Sequence, residues 1–552
     1  MKNYLSIFAL LLSLTVFSQN DAYYSLDNYL QEKGEAYIKI NTNSTKDIIN
    51  LAPLMSIDEV DGDMVYAYIY EKGFANFQEL GLSFEILTKP GELFVPEMYD
   101  GLNKEAYEWD TYPTYDAYVE MMYEFAANYP DICEVFSIGT TTDGRELLFA
   151  KISDNVSTDE SEAQFLYTGT MHGDETAGFV LFLRLIDYLT SNYGTDAEVT
   201  ALVNNLEIWI NPAANPDGTY YGGNNSVFGA RRANANNVDL NRNYYDPNPS
   251  YGPHPDGNVY QLETEAFMAM AEEQNFIMAA NTHGGAEVLN YPWDTWNLHT
   301  ADDAWWVFVC REYADTCHAF APSNYMNQWE NGITHGYSWY PTHGSRQDYM
   351  NYFHHCREVT IEQSDVKLIP ESQLDAHWTY NKRSLINYMK QAQYGVQGLI
   401  TDSLTGEPLV AKVEILDHDE LNSFVFTREG FGNYNRLLKA GTYDFKFSAE
   451  GYMTKYFVGV VAEDYESTIL DVQLVSATLT ADFSADQVLV AIGSAVQFSE
   501  DCWGEPDTYS WTFEGGTPAS STEADPQVVY NEEGVFDVSL VITKGEDTQT
   551  MS

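Results

Sequence analysis

The chain has 552 residues, too many for one hydrophobic core, and its length suggests three or four domains. It carries 83 Asp plus Glu against 27 Lys plus Arg, a formal net charge of −56. Such a surface keeps a chain soluble, repels nucleic acid and acidic lipid, and attracts cationic peptides through a long-range field. A hydrophobic content of 44% and an aromatic content of 14% exclude a disordered acidic tail.

Residues 1–19, MKNYLSIFALLLSLTVFSQ, hold one Lys, an apolar run from Tyr4 to Phe17, then small and polar residues. This pattern predicts a secretory signal, too short for a stable membrane anchor. No other run is apolar enough to span, so the expectation is a secreted protein without a membrane span. Residues 20–90 read as a small α+β unit: AYIKINT, MVYAYIY and SFEIL as strands, TKDIINLAPL and FANFQELG as helices. PGELFVPEMYDGLNK follows as a linker.

From 105 to 393 the pattern is α/β. Periodicity and stop signals predict helices over Tyr115–Asn128 (Thr114 as cap), Gly178–Ser191, Glu263–Gln274, Asp303–Phe320 and His377–Gln393. The apolar runs CEVFSIG, LLFAKIS, FLYTGT, LEIWINP, FIMAANT and EVTIE read as buried strands. From 394 to 475, VQGLITD, VAKVEIL, YDFKFSA and ILDVQLV alternate with turn signals at Gly406, Gly441 and Gly451, the mark of an all-β sandwich. A second β unit, 477–552, holds SAVQFSED, TYSWTFEGG, PQVVYNEEG and FDVSLVIT. Five Cys without a CxxC pair exclude a thiolate zinc knuckle, and Cys356 reads as a buried small hydrophobe.

The chemistry gathers around FLYTGTMHGDETAGF. His172 and Glu175 fall on the turn after a buried strand, where ligands bind in open α/β sheets. An imidazole and a carboxylate three positions apart can reach one ion, though alone the pair is a weak signal and more often a polar turn. His283, just past FIMAANT, would complete a His, Glu, His set; zinc takes such a set and keeps a fourth position for water. Glu362 ends a buried strand, with Val359 and Ile361 beside it, so an idle carboxylate there would be costly.

Together MHGDE, NPDG (215–218), VDLNRN (238–243), HGG…NYPWD (283–294), the WY…QD block (339–348) and EVTIE (358–362) resemble the zinc metallocarboxypeptidases. The likeness is to their regulatory branch, typified by carboxypeptidases D, E and N, rather than to the pancreatic digestive branch. It implies a mixed β-sheet flanked by helices and one Zn²⁺ held by His172, Glu175 and His283. It further implies Glu362 as general base, Arg232 as oxyanion stabiliser, and Asn241 and Arg242 as the grip on the substrate's free C-terminal carboxylate. Arg232 is preferred to Arg231 because it lies ten positions before Arg242. Tyr340 matches the mobile tyrosine that closes on the terminal residue.

In that branch an Asp eleven positions after the third zinc ligand, here Asp294, faces a cationic side chain, and Gln347 matches a Gln seven positions after the tyrosine. The implied partners are therefore peptides ending in Arg or Lys. Arg346 stands where the branch usually has Met; it is expected to point outward. The resemblance extends to a transthyretin-like domain over 394–475, a PKD-like domain over 477–552 and, more faintly, an activation domain over 20–90. Competing readings are exopeptidases for neutral residues or cell-wall peptides, amidohydrolases that deacylate small amino acids, and an inactive adhesion protein on the same scaffold.

Overall fold

The computed structural model describes residues 19–42, 45–101, 107–477, 479–504, 506–545 and 547–552; the side chains of residues 19–21, 45, 46 and 49 lie outside that description. The predicted secretory signal lies outside the described residues, apart from the backbone of Gln19. Among the described residues no helix is long and apolar enough to cross a membrane.

The N-terminal unit is a four-stranded antiparallel sheet in the order Met55–Asp61, Met64–Tyr70, Glu35–Asn41, Phe84–Leu87. The helices Gln19–Lys33 and Glu71–Leu80 pack on it through Tyr23, Leu26, Leu30 and Phe77. Two elements are additions to the sequence reading. The helix over Gln19–Lys33 was not expected, and the strand Met55–Asp61 was hidden by Asp58, Glu59 and Asp61, which break its apolar alternation. The linker contributes a two-residue strand, Met98–Tyr99, paired in parallel with Tyr112–Pro113.

The central domain is an eight-stranded mixed sheet. Its order is Ile333–His335, Ala286–Tyr291, Arg357–Ser364, Phe276–His283, Ala163–Gly169, Leu206–Asn211, Glu146–Ile152, Cys133–Thr140. The four strands from Arg357–Ser364 to Leu206–Asn211 run parallel, and antiparallel strands flank them on both sides. Parallel strands need both faces covered. One face meets Ala177–Asn192, a helix buried over most of its circumference, with Asp303–Phe320 and Leu374–Gln391 beside it. Leu262–Glu273 covers part of the other face. Tyr115–Asn128 and Asp303–Phe320 have the ends read from the sequence, and Thr114 Oγ1 accepts from Ala117 N at 3.3 Å as the predicted cap. The strand Ala286–Tyr291, the edge strand Ile333–His335 and the helices Ala197–Asn205 and Arg346–Phe353 were not expected.

The C-terminal part is all β. Two sheets enclose Val396, Val413, Phe445, Phe447 and Leu474, and two more enclose Phe498, Trp511, Phe513 and Leu540. Gly441 opens the strand Gly441–Ser448 instead of marking a turn, whereas Gly406 and Gly451 take left-handed conformations at turns. The first sandwich is fastened to the central domain by charge. Buried Asp302 accepts from Arg357 at 2.7 Å, Arg436 at 2.8 Å and His418 at 2.9 Å. Burial would raise its pKa, but the two guanidinium groups and His418 bring it down.

Candidate active site

Three parallel strands carry the site on or beyond their carboxyl ends. After Ala163–Gly169 the chain turns through His172 and Glu175 into the helix Ala177–Asn192. His283 ends its own strand, and register pairs it with Glu362 on the neighbouring strand. In-register residues on parallel neighbours project to the same side of a sheet, so a ligand and a carboxylate stand side by side.

His172 Nδ1, His283 Nδ1 and one oxygen of Glu175 converge. Glu175 Oε2 lies 3.0 Å from His172 Nδ1 and 2.8 Å from His283 Nδ1, and the two imidazole nitrogens are 2.9 Å apart. All three residues are buried. The far nitrogen of His172, Nε2, lies 2.9 Å from Asp239 Oδ1. A neutral His172 that donates Nε2–H to Asp239 turns a bare lone pair at Nδ1 toward a carboxylate oxygen. Acceptors facing one another at such distances repel unless a proton or a metal cation lies among them. The donor set therefore fits zinc: two imidazoles and one carboxylate, with a carboxylate behind the first imidazole. Burial alone would raise the pKa of Glu175; His172, Lys367 and His283 bring it well below the ordinary range. Burial pushes His283 down to about 4, which keeps it neutral and able to coordinate.

Glu362, Arg232, Asn241, Arg242, Tyr340 and Asp294 line the same pocket as these three residues. Glu362 is buried, its Oε2 has no hydrogen-bond partner among the described residues, and burial followed by the nearby Glu175 charge pushes its pKa well up. Arg232 Nη1 donates to Glu175 Oε1 at 3.1 Å and Nε to Asp239 Oδ2 at 3.0 Å. Arg231 turns away, toward Asn237, the Tyr221 ring and Glu35. Arg242 donates to the Asn241 carbonyl at 2.8 Å, and no carboxylate pairs with it among the described residues.

Asp294 is buried. Asn290 and Gln347 donate to its Oδ1 at 3.0 and 3.3 Å, and no cation lies within ion-pair distance among the described residues. Burial raises its pKa. Gly336 closes over it: a Cβ there would lie 2.0 Å from Asp294 Oδ1, so a side chain at 336 would fill the pocket floor. Gln347 stands behind Asp294 and also accepts from Thr360 N at 2.7 Å. Arg346 does not point outward as expected. It is buried and binds Glu358 through two bonds of 3.0 and 3.1 Å, and among the described residues it makes no ion pair with Asp294.

Several site residues escaped the sequence reading. Asp239 lies inside VDLNRN, but its partner is 67 positions away. Lys367 reaches Glu175 Oε1 and, at 2.6 Å, Asp58 Oδ1. Asp58, from the N-terminal sheet, lines the metal pocket and lies 3.6 Å from Arg232. Its neighbour Tyr68 donates to Asp174 at 2.6 Å, and Tyr340 packs on the N-terminal core. Arg242, Tyr340 and Thr342 also line a cavity of about 460 Å³ between the two units.

The zinc carboxypeptidase family model matches residues 118–384, and the PKD domain model matches 479–550. Rat carboxypeptidase D is 37% identical over 393 residues, covering 67% of this chain and 28% of the relative, so the chain spans little more than a quarter of that protein's length. The rat carboxypeptidase N catalytic chain is 34% identical over 403 residues, covering 66% of this chain and 86% of the relative. The carboxypeptidase A crystal structure from Helicoverpa armigera matches 65% of this chain and 97% of its own, with a TM-score of 0.50 at 16% identity, a likeness of fold. With the catalytic chain of carboxypeptidase N matched over most of its length at this identity, the chain belongs to the zinc carboxypeptidase family.

Proposed function

We propose that the chain is a secreted zinc exopeptidase that cleaves the last peptide bond of a substrate and releases C-terminal Arg or Lys. One observation carries this reading. A metal-type ligand set and, among the described residues, a buried free carboxylate, an arginine without an acidic partner and a buried aspartate without a cation open into one pocket. Zinc bound by His172, Glu175 and His283 supplies Lewis-acid polarisation. The remaining work falls to the chain. Arg242 and Asn241 hold the terminal carboxylate, for which a planar guanidinium fork is suited. Glu362 takes the proton of the attacking water at its unpartnered Oε2. Arg232 stabilises charge developing on the scissile carbonyl oxygen. Tyr340 covers the terminal residue, and Asp294 receives its cationic side chain.

His283→Ala abolishes activity and lowers zinc stoichiometry well below one per chain, because two ligands from a single turn remain. Metal analysis of purified protein checks this; full zinc occupancy with normal activity would contradict the assignment.

The N-terminal unit fits an inhibitory role. Asp58 enters the pocket and meets Arg232 and Lys367, where a substrate's polar groups would pass. Removing one partner of a buried interfacial charge pair costs about 2–5 kcal/mol. Asp58→Asn therefore raises kcat/KM by about tenfold or more on this basis, and removal of residues 20–100 raises it further. Steady-state kinetics decide: unchanged kcat/KM in both proteins refutes the role. Residues 394–475 are read as transthyretin-like, held to the catalytic domain through Asp302.

A further inference from the structure

We propose that Lys367 is a positioning residue of the metal site, acting through the outer oxygen of Glu175. This rests on the zinc reading above and extends it to a residue that does not line the pocket. Lys367 lies five positions past Glu362, beyond the strand Arg357–Ser364, and only 4% of it is exposed. A buried ammonium is costly unless it is paired.

Its contacts tie the ligand-bearing segments together. The Nζ donates to Glu175 Oε1 and, at 3.2 Å, to the carbonyl of Gly284, the residue after His283. The backbone carbonyl of Lys367 accepts from Thr176 N at 3.0 Å, the residue after Glu175. One residue thus joins the turn of the first two ligands, the strand of the third and the segment that follows Glu362. The two oxygens of Glu175 are thereby given separate tasks. Oε2 faces both imidazoles, while Oε1 is held by Lys367 and by Arg232 at 3.1 Å. A carboxylate gripped at one oxygen presents the other in a fixed direction, and groups that orient ligands in this way set metal affinity. Arg232 can turn toward substrate because Lys367 continues to hold Oε1.

Asp58 of the N-terminal unit shares the ammonium, so the test must separate the two carboxylates. Zinc affinity is measured on the metal-free full chain by competition with a chelator of known affinity, alongside thermal unfolding of the metal-free proteins. Lys367→Met weakens zinc binding about 10–100-fold, the range for loss of an orienting partner. Lys367→Gln, which keeps a donor without the charge, falls between Met and wild type; Lys367→Arg recovers most of the affinity. Asp58→Asn leaves affinity within about threefold of wild type, far inside the range set by an orienting partner. If Lys367→Met does not fold, the Gln variant carries the test. Wild-type affinity in the Met or Gln variant overturns the proposal. So does an equal loss in Asp58→Asn, which would trace the effect to the N-terminal unit. A wild-type chain that binds no zinc contradicts the underlying metal assignment instead.

Discussion

Glu362→Gln retains zinc and still binds substrate, but its kcat falls by more than the roughly 10²–10⁴-fold of ordinary acid–base assistance. The excess arises because the same carboxylate both removes the proton and thereby creates the nucleophile. The position supports the expectation. Glu362 pairs in register with His283, so its oxygen and the ligand nitrogens open on one pocket. Among the described residues its Oε2 has no hydrogen-bond partner, although buried carboxylates are seldom left so. Gln matches its shape and can still accept a hydrogen bond, but it cannot take up a proton at neutral pH. The substitution therefore separates chemistry from binding. Zinc stoichiometry, substrate affinity and single-turnover rates on the same preparation check all three. A variant within tenfold of wild type would place the base elsewhere.

How much of this was legible depended on how local each cause is. The helix Tyr115–Asn128 was readable to the residue because Thr114 caps it through a bond three residues long, and a helix end is a local event. His172 and Glu175 were readable because one turn carries both. The strand Met55–Asp61 was not: its acidic residues are explained by the central domain, where Asp58 finds Lys367 and Arg232. Asp239 was in plain view within VDLNRN, yet only folding brings it behind His172. Lys367 belongs to none of the sequence motifs, and its burial follows from two carboxylates far apart in sequence. Arg346 shows the same limit from the other side. Sequence placed it one position from Gln347 and had it pointing outward. The fold supplies Glu358 from the adjoining strand, and the guanidinium goes there.

With Arg346 engaged by Glu358, the second large effect, specificity, rests on Asp294. Under the proposed specificity, peptides ending in Arg are expected to be cleaved with kcat/KM at least about 10²-fold above otherwise identical peptides ending in Leu, with Lys between them. A site built around a polar group rejects a substrate that leaves that group unpaired by about 10⁴-fold or more when the group is fully enclosed. Asp294 is enclosed: its carboxylate holds bonds from Asn290 and Gln347 but meets no cation among the described residues. A guanidinium would supply charge-assisted bonds there, whereas Leu would leave the carboxylate dry and unpaired. The net charge of −56 adds faster encounter with cationic peptides, an advantage that fades as salt rises. Asp294→Asn removes the charge but keeps the shape, so it lowers kcat/KM for Arg toward the value for Leu. Arg346→Met should not alter this order, because the lost guanidinium serves Glu358. Its cost is stability, about 3–5 kcal/mol for a buried carboxylate left alone. Kinetics on peptides ending in Arg, Lys, Leu and Glu, with wild type and both variants, decide between the readings. Leu released faster than Arg by wild type would overturn the specificity while leaving the exopeptidase chemistry intact. A change of order in Arg346→Met, without loss of stability, would show that Arg346 acts on the pocket after all.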